Sequence, residues 1–267
     1  MIGKNIPKVG LGTYGLTGDT GTQAIISAIK NGYRHIDTAQ TYDTEKQVGS
    51  AIRDCGLARD QLFITTKITP ENFSNLIPSL RDSLANLGTD KLNLTLIHWP
   101  SHYDKVPISD YIGLLAQAQD EGLTDLIGVS NFTRWHLDEV DKAIGIDRLS
   151  TNQFECHAYL QNRILAQHCK DVDVAVTCYM PMAVGEVLKD PVIIKIAAQH
   201  TCDPSQVALA YLLQQGYIVI PKSANPQRQK TNLDSTNITL TTDNMGEIDT
   251  LERGHRIVDP EWGPKWD

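Results

Sequence analysis

The 267-residue sequence is short of positive charge: 24 Lys and Arg stand against 32 Asp and Glu, a formal net charge of −8. A general nucleic-acid or anionic-membrane surface needs a basic excess, so neither nucleic acid nor membrane is expected as a partner, and any anionic ligand must be held by a local cluster. Cysteine is scarce as well. Cys55, Cys156, Cys169, Cys178 and Cys202 are odd in number, far apart and without a C-x-x-C pair, which argues against a disulfide framework and a zinc site. They read as reduced thiols of a cytoplasmic protein. His102, His136, His157, His168, His200 and His255 show no metal-ligand spacing, so no metal is expected. Long apolar runs are missing too, and Met1–Pro7 offers no apolar stretch before a small-residue cleavage site, so no export signal is expected. No Ser/Gly/Pro linker or low-complexity tract divides the sequence, so residues 1–267 are read as a single domain. What remains is an ordinary globular composition, 41% hydrophobic and 21% charged, with a mean hydropathy of −0.26.

Short apolar, β-branched runs recur at 33–37, 62–67, 92–98, 126–130, 151–155, 174–179, 218–221 and, more weakly, 237–240. Periodic helical segments lie between them, at 21–31, 44–54, 75–87, 108–121, 136–143, 162–170 and 204–215. Strand then helix, repeated eight times, is the pattern of a parallel β/α arrangement. An open doubly wound sheet carries phosphate-binding glycines straight after its first strand, yet Asp37 is followed by Thr38-Ala39-Gln40-Thr41-Tyr42. A closed (β/α)₈ TIM barrel of about 250 residues fits both the unit count and the length. Such barrels place their chemistry at the C-terminal ends of the strands. Here those ends read Asp37, Lys67, His98, Ser130-Asn131, Gln153, Tyr179 and Lys222-Ser223, a polar set closing apolar runs.

Tyr42, Lys67, Asp37 and His98 together suggest carbonyl reduction. A phenol has a reference pKa near ~10 and donates poorly at neutral pH, but an adjacent ammonium stabilises the phenolate and lowers that value. Lys67 supplies the charge, Asp37 pairs with Lys67, and a neutral His98 imidazole orients a carbonyl oxygen. Such a group protonates a developing alkoxide.

These residues stand in Gly32-Tyr33-Arg34-His35-Ile36-Asp37-Thr38-Ala39-Gln40-Thr41-Tyr42, Thr65-Thr66-Lys67, Leu96-Ile97-His98-Trp99-Pro100, Gly128-Val129-Ser130-Asn131-Phe132, Thr151-Asn152-Gln153 and Ile220-Pro221-Lys222-Ser223. In that order, from Gly10-Leu11-Gly12-Thr13 to Asn232, the sequence resembles the aldo-keto reductase superfamily. Its compact length, the Tyr179-Met180-Pro181-Met182 stretch and the Trp-Asp terminus look like the small bacterial members that reduce 2,5-diketo-D-gluconate and methylglyoxal. The resemblance implies a catalytic tetrad of Asp37, Tyr42, Lys67 and His98, with Tyr42 as general acid. It also implies that Ser130, Asn131 and Gln153 hold a nicotinamide carboxamide, that Tyr179 stacks on the ring, and that Gly12, Thr13 and Asn232 also touch the cofactor. Lys222, Ser223 and Arg228 supply an ammonium, a hydroxyl and a guanidinium for a 2′-phosphate, which favours NADPH (NADP+) over NADH. Two departures stand out: Thr231 occupies a position that is often Glu, and Met180-Pro181-Met182 replaces a common Ser-Pro-Leu. The expected partner is a small carbonyl substrate, bound by a monomer between Tyr14, Trp99, Met182 and Trp262, with the tail 254–267 as a candidate lid. The alternative is a non-catalytic NADPH-binding module that reports redox state to another protein.

Overall fold

The computed structural model describes residues 6–267. The expectation of no export signal rests partly on residues 1–5, which lie outside the described residues. Eight strands run in chain order: β1 (Gly10–Gly12), β2 (His35–Asp37), β3 (Phe63–Ile68), β4 (Leu92–Ile97), β5 (Thr124–Ser130), β6 (Leu149–Glu155), β7 (Ala175–Tyr179) and β8 (Ile218–Val219). Each pairs in parallel with the next. The ring closes where Val9 bridges Val219, Val219 N donates to Lys8 O at 2.9 Å and Gly12 N donates to Pro221 O at 3.2 Å. The fold is the expected (β/α)₈ barrel.

Around it lie α1 (Gly18–Lys30), α2 (Glu45–Asp54), α3 (Leu76–Leu87), α4 (Ile108–Asp120), α5 (Arg134–Ile144), α6 (Arg163–Asp171), α7 (Pro191–His200), α8 (Pro204–Gln214), α9 (Pro226–Leu233) and α10 (Thr242–Asp249). Three of the later helices start on the same device, an Asp or Asn cap followed by Pro. Asp190 accepts from Val192 N at 2.8 Å, Asp203 from Ser205 N at 2.8 Å, and Asn225 from Arg228 N at 3.0 Å. Proline at the first helical position loses no hydrogen bond there, and the side-chain oxygen satisfies a donor the helix leaves open. Among the described residues, no helix is long and apolar enough to cross a membrane.

The strand list needs one correction. The run 237–240 is no strand: a 3₁₀ turn, Asp234–Asn237, occupies its start, and the eighth place in the ring is already taken by Ile218–Val219. The missing strand is β1, whose Gly10-Leu11-Gly12 offers a single side chain and so no alternation to detect. Its glycines have a steric cause. A Cβ on Gly12 would stand 2.8 Å from Ile220 O, and one on Gly10 would stand 2.7 Å from the His35 ring. The glycine-free turn after Asp37 therefore follows the second strand, while the turns after the true first strand do contain glycine, Gly15 and Gly18. Closure of the ring, rather than a missing glycine, excludes the open sheet.

Side chains alternate along each strand with a period of two, so every second residue faces the barrel interior. Phe63, Leu94, Leu96, Leu126, Ala175 and Ile218 gather with Ile6 in a small apolar cluster, separate from the large core under the helices. Counting upward by two from these positions reaches Lys67, His98, Ser130, Tyr179 and Lys222. The interior thus turns from apolar to polar toward the C-terminal ends of the strands, and that end carries the candidate site.

Candidate active site at the C-terminal mouth of the barrel

Asp37 closes β2, Lys67 is the last residue but one of β3, His98 follows β4, and Tyr42 ends the 3₁₀ turn Gln40–Tyr42. The structure brings all four together. Lys67, fully buried, donates to Asp37 Oδ1 in an ion pair and to Thr38 O at 2.8 Å. Its ammonium lies 4.9 Å from the centre of the Tyr42 ring. Tyr42 Oη and His98 Nε2 are 3.4 Å apart, a separation that leaves room to tighten, and Thr41 Oγ1 lies 3.4 Å from His98 Nδ1. The other Asp37 oxygen accepts from Gln153 Nε2 at 2.8 Å, so the carboxylate is fixed from two strands.

The charges differ in one respect from expectation. Burial pushes the Tyr42 phenol above its ordinary value, and Lys67 offsets this only in part. The proton is therefore held more firmly than an ammonium neighbour alone suggests. Burial by itself would lower Lys67, but Asp37 and Tyr42 outweigh it, and the side chain stays cationic. For His98, burial and then Lys67 act in the same direction and hold the imidazole well below its usual range, so it is neutral.

Beside this group, Asn131 sits in the left-handed region at φ 64°, a conformation Asn tolerates. Its amide nitrogen donates to His98 O at 3.0 Å and Ser130 Oγ at 3.1 Å, and its oxygen accepts from Tyr179 Oη at 2.8 Å. One side chain thus ties together the ends of β4, β5 and β7. Thr13 is buried behind Asp37, donating to its carbonyl from both N and Oγ1 at 3.0 Å, with Gly12 at the close β1–β8 approach.

Farther round the rim, Lys222 and Arg228 are exposed, and among the described residues neither has an ion-pair partner. Lys230 is different, lying 3.3 Å from Asp234, the residue that follows α9. Ser223 Oγ accepts from Asn225 N at 3.2 Å, and Asn232 is buried on α9. Composition gave no reason to single out Gln229. Fully buried, it donates to Ala24 O at 2.8 Å and Ser223 O at 2.9 Å, and so pins the Ser223 loop against α1.

Of the residues expected at the pocket, Tyr14 is exposed and meets the Tyr42 ring edge-on at 5.2 Å. Trp99 meets Trp262 edge-on at 5.2 Å and Trp266 at 6.1 Å, so both tail tryptophans lie over the β4 end. Met182 is half-buried and packs against the outer core.

The sequence profile of the Aldo/keto reductase family matches residues 8–253. The chain belongs to that family. Among curated relatives, it is 44% identical over 265 residues to methylglyoxal reductase DkgB of Escherichia coli O157:H7, covering 98% of this chain and 99% of the relative. It is 34% identical over 294 residues to glycerol 2-dehydrogenase (NADP(+)) of Saccharomyces cerevisiae, covering 98% and 93%. A crystal structure assigned as a 2,5-diketo-D-gluconic acid reductase B superposes with a TM-score of 0.95 at 36% identity, over 100% of this chain and 95% of that one.

Proposed function

We propose that this aldo/keto reductase is an NADPH-dependent reductase of small, reactive aldehydes and ketones, methylglyoxal and 2,5-diketo-D-gluconate among them. The observation that carries the proposal is the convergence of Tyr42, Lys67, Asp37 and a neutral His98 at one barrel mouth. Gln153 spends its amide nitrogen on Asp37, which leaves its amide oxygen to accept from a carboxamide, while Ser130 has a hydroxyl proton to donate. Tyr179, its phenol tied to Asn131, offers a ring face to the nicotinamide. Two exposed cations, Lys222 and Arg228, beside the capped start of α9 suit a 2′-phosphate on a chain of net charge −8. NADPH, when bound, supplies a hydride from the nicotinamide C4 to the carbonyl carbon.

The chain's own groups then manage the oxygen. His98, being neutral, donates from one ring nitrogen and orients the carbonyl without adding charge. Tyr42 hands its proton to the oxygen as negative charge builds there, since an alkoxide is far more basic than a phenolate. Lys67 stabilises the phenolate left behind, and Asp37 keeps Lys67 in place and charged. The test is NADPH consumption, followed by absorbance, with methylglyoxal, 2,5-diketo-D-gluconate and a panel of small aldehydes. Turnover by the wild type and its loss in Tyr42→Phe is the expected result. Bound NADPH that no carbonyl oxidises, with Tyr42→Phe indistinguishable from wild type, overturns the proposal.

A further inference from the structure

We propose that Glu155 is a positioning residue for substrate selection: it clasps the carboxyl-terminal tail onto the barrel mouth and so sets where the Trp262 wall stands. The inference rests on the reading of that mouth as the carbonyl pocket. Glu155 is the last residue of β6 and fully buried, two positions beyond Gln153 and therefore on the same inward face of the strand. Its Oε1 accepts from Ile257 N at 2.8 Å and His157 Nε2 at 3.0 Å, and its Oε2 accepts from Val258 N at 2.8 Å. Two of the three donors are backbone amides of the tail. A second stitch lies beside the first: Glu155 O accepts from Asn162 Nδ2 at 2.7 Å, and Asn162 Oδ1 accepts from Arg256 Nη2 at 3.2 Å.

From this clasp the tail runs to the β4 and β5 side. Trp262 O accepts from Tyr103 N at 3.1 Å, and the Trp262 ring lies 4.2 Å from His102 and 5.2 Å from Trp99. Arg256 stacks on Trp266 at 3.7 Å, and the Asp267 side chain accepts from Arg134 N and Nε at 3.0 Å. The tail is tied at both ends, and Trp262 lies between the ties. An apolar contact alone holds a segment at many offsets, whereas a carboxylate taking two consecutive backbone amides fixes it at one register. A buried carboxylate also tolerates no partial release, because each lost donor leaves charge unsatisfied. Tail closure is therefore close to all-or-none, and the pocket has one depth.

Glu155→Gln keeps the shape but turns an NH₂ toward a backbone N–H, donor against donor. Three readings decide the inference. In the wild type, the amides of Ile257 and Val258, which lie in no regular element, exchange with deuterium at least about tenfold more slowly than free amides, as a charge-assisted bond implies. In Glu155→Gln those two amides lose the protection. The variant also raises KM for methylglyoxal by roughly tenfold and gains in relative kcat/KM for bulky aromatic aldehydes, while kcat and the Kd for NADPH stay within about twofold of wild type. A purely structural role moves kcat, KM and cofactor affinity together. If Glu155→Gln fails to fold, Val258→Pro removes one donor from the tail side, leaves β6 untouched and should give the same split. Unprotected amides at 257 and 258 in the wild type, or a variant with unchanged exchange and KM, overturn the proposal. Should no carbonyl be reduced, the functional reading fails while the exchange data still decide the clasp.

Discussion

Tyr42 is placed so that activity and stability separate cleanly on substitution. Its hydroxyl stands 3.4 Å from His98 Nε2 and beside the Lys67 ammonium, and its loss leaves the Lys67–Asp37 pair in place, so Tyr42→Phe should unfold close to the urea midpoint of wild type. It should lose about 10²–10⁴ in kcat, the usual contribution of a positioned general acid, with NADPH titrations unchanged. Lys67→Met makes the contrast. There the loss of activity should be of similar size, because no charge remains to stabilise the phenolate, but Asp37 is left buried with Gln153 as its side-chain donor. Removing one partner of a buried pair costs about 3–5 kcal/mol, so this variant's urea midpoint should fall well below that of Tyr42→Phe. Equal midpoints would mean that the Lys67–Asp37 pair contributes little to the fold.

At the scale of elements, the strand ends were legible because an inward period of two ends on a polar residue in strand after strand, as in Leu94, Leu96, His98 or Phe63, Thr65, Lys67. What escaped detection escaped for physical reasons. β1 is glycine-rich because Ile220, just past β8, and His35 crowd it, and crowding removes the side chains that carry a pattern. Gly12→Ala should therefore cost about 1–3 kcal/mol in chemical denaturation, since the new methyl meets a backbone oxygen at 2.8 Å and no rotamer relieves it. Gln229 and Glu155 carry no local sequence signal because their roles lie in contacts far away in sequence, with Ala24 and with Ile257 and Val258. A motif shows the charged neighbour of the Tyr42 proton but not its burial, and burial is the larger effect. The start of α9 carries its candidate phosphate ligands as side chains visible in the sequence, and Arg228 is the one to test. Arg228→Ala should raise KM for NADPH by roughly 10–100-fold, the loss of a charge-assisted bond, and leave KM for NADH nearly unchanged. An equal effect on both cofactors would remove Arg228 from the phosphate site.

For the whole molecule, the barrel interior makes stability depend on pH through two histidines. His35 lies inside the barrel, 3.0 Å from Thr65 Oγ1 and 3.3 Å from Pro7 O, and burial pushes it down to about 4. His98 is lowered as well, by burial and by Lys67. An unfolded chain takes up a proton at each histidine near pH ~6.5, whereas the folded chain takes one up at His35 only near 4. Between those values protons favour the unfolded chain, so stability is full above pH ~6.5 and falls as the pH drops. At about 1.4 kcal/mol per pH unit, His35 alone removes about 3 kcal/mol by the bottom of that window, and His98 adds to the loss in the same direction. Against a typical total of about 5–15 kcal/mol, that is enough to bring the barrel near its unfolding threshold in mild acid. Urea midpoints measured from pH 7.5 down to 4 should therefore decline through the histidine range, before most carboxylates titrate. In His35→Gln, which carries no titrating group at that position, the decline should be shallower by the His35 share. An unchanged slope would show that His35 is protonated in the folded barrel.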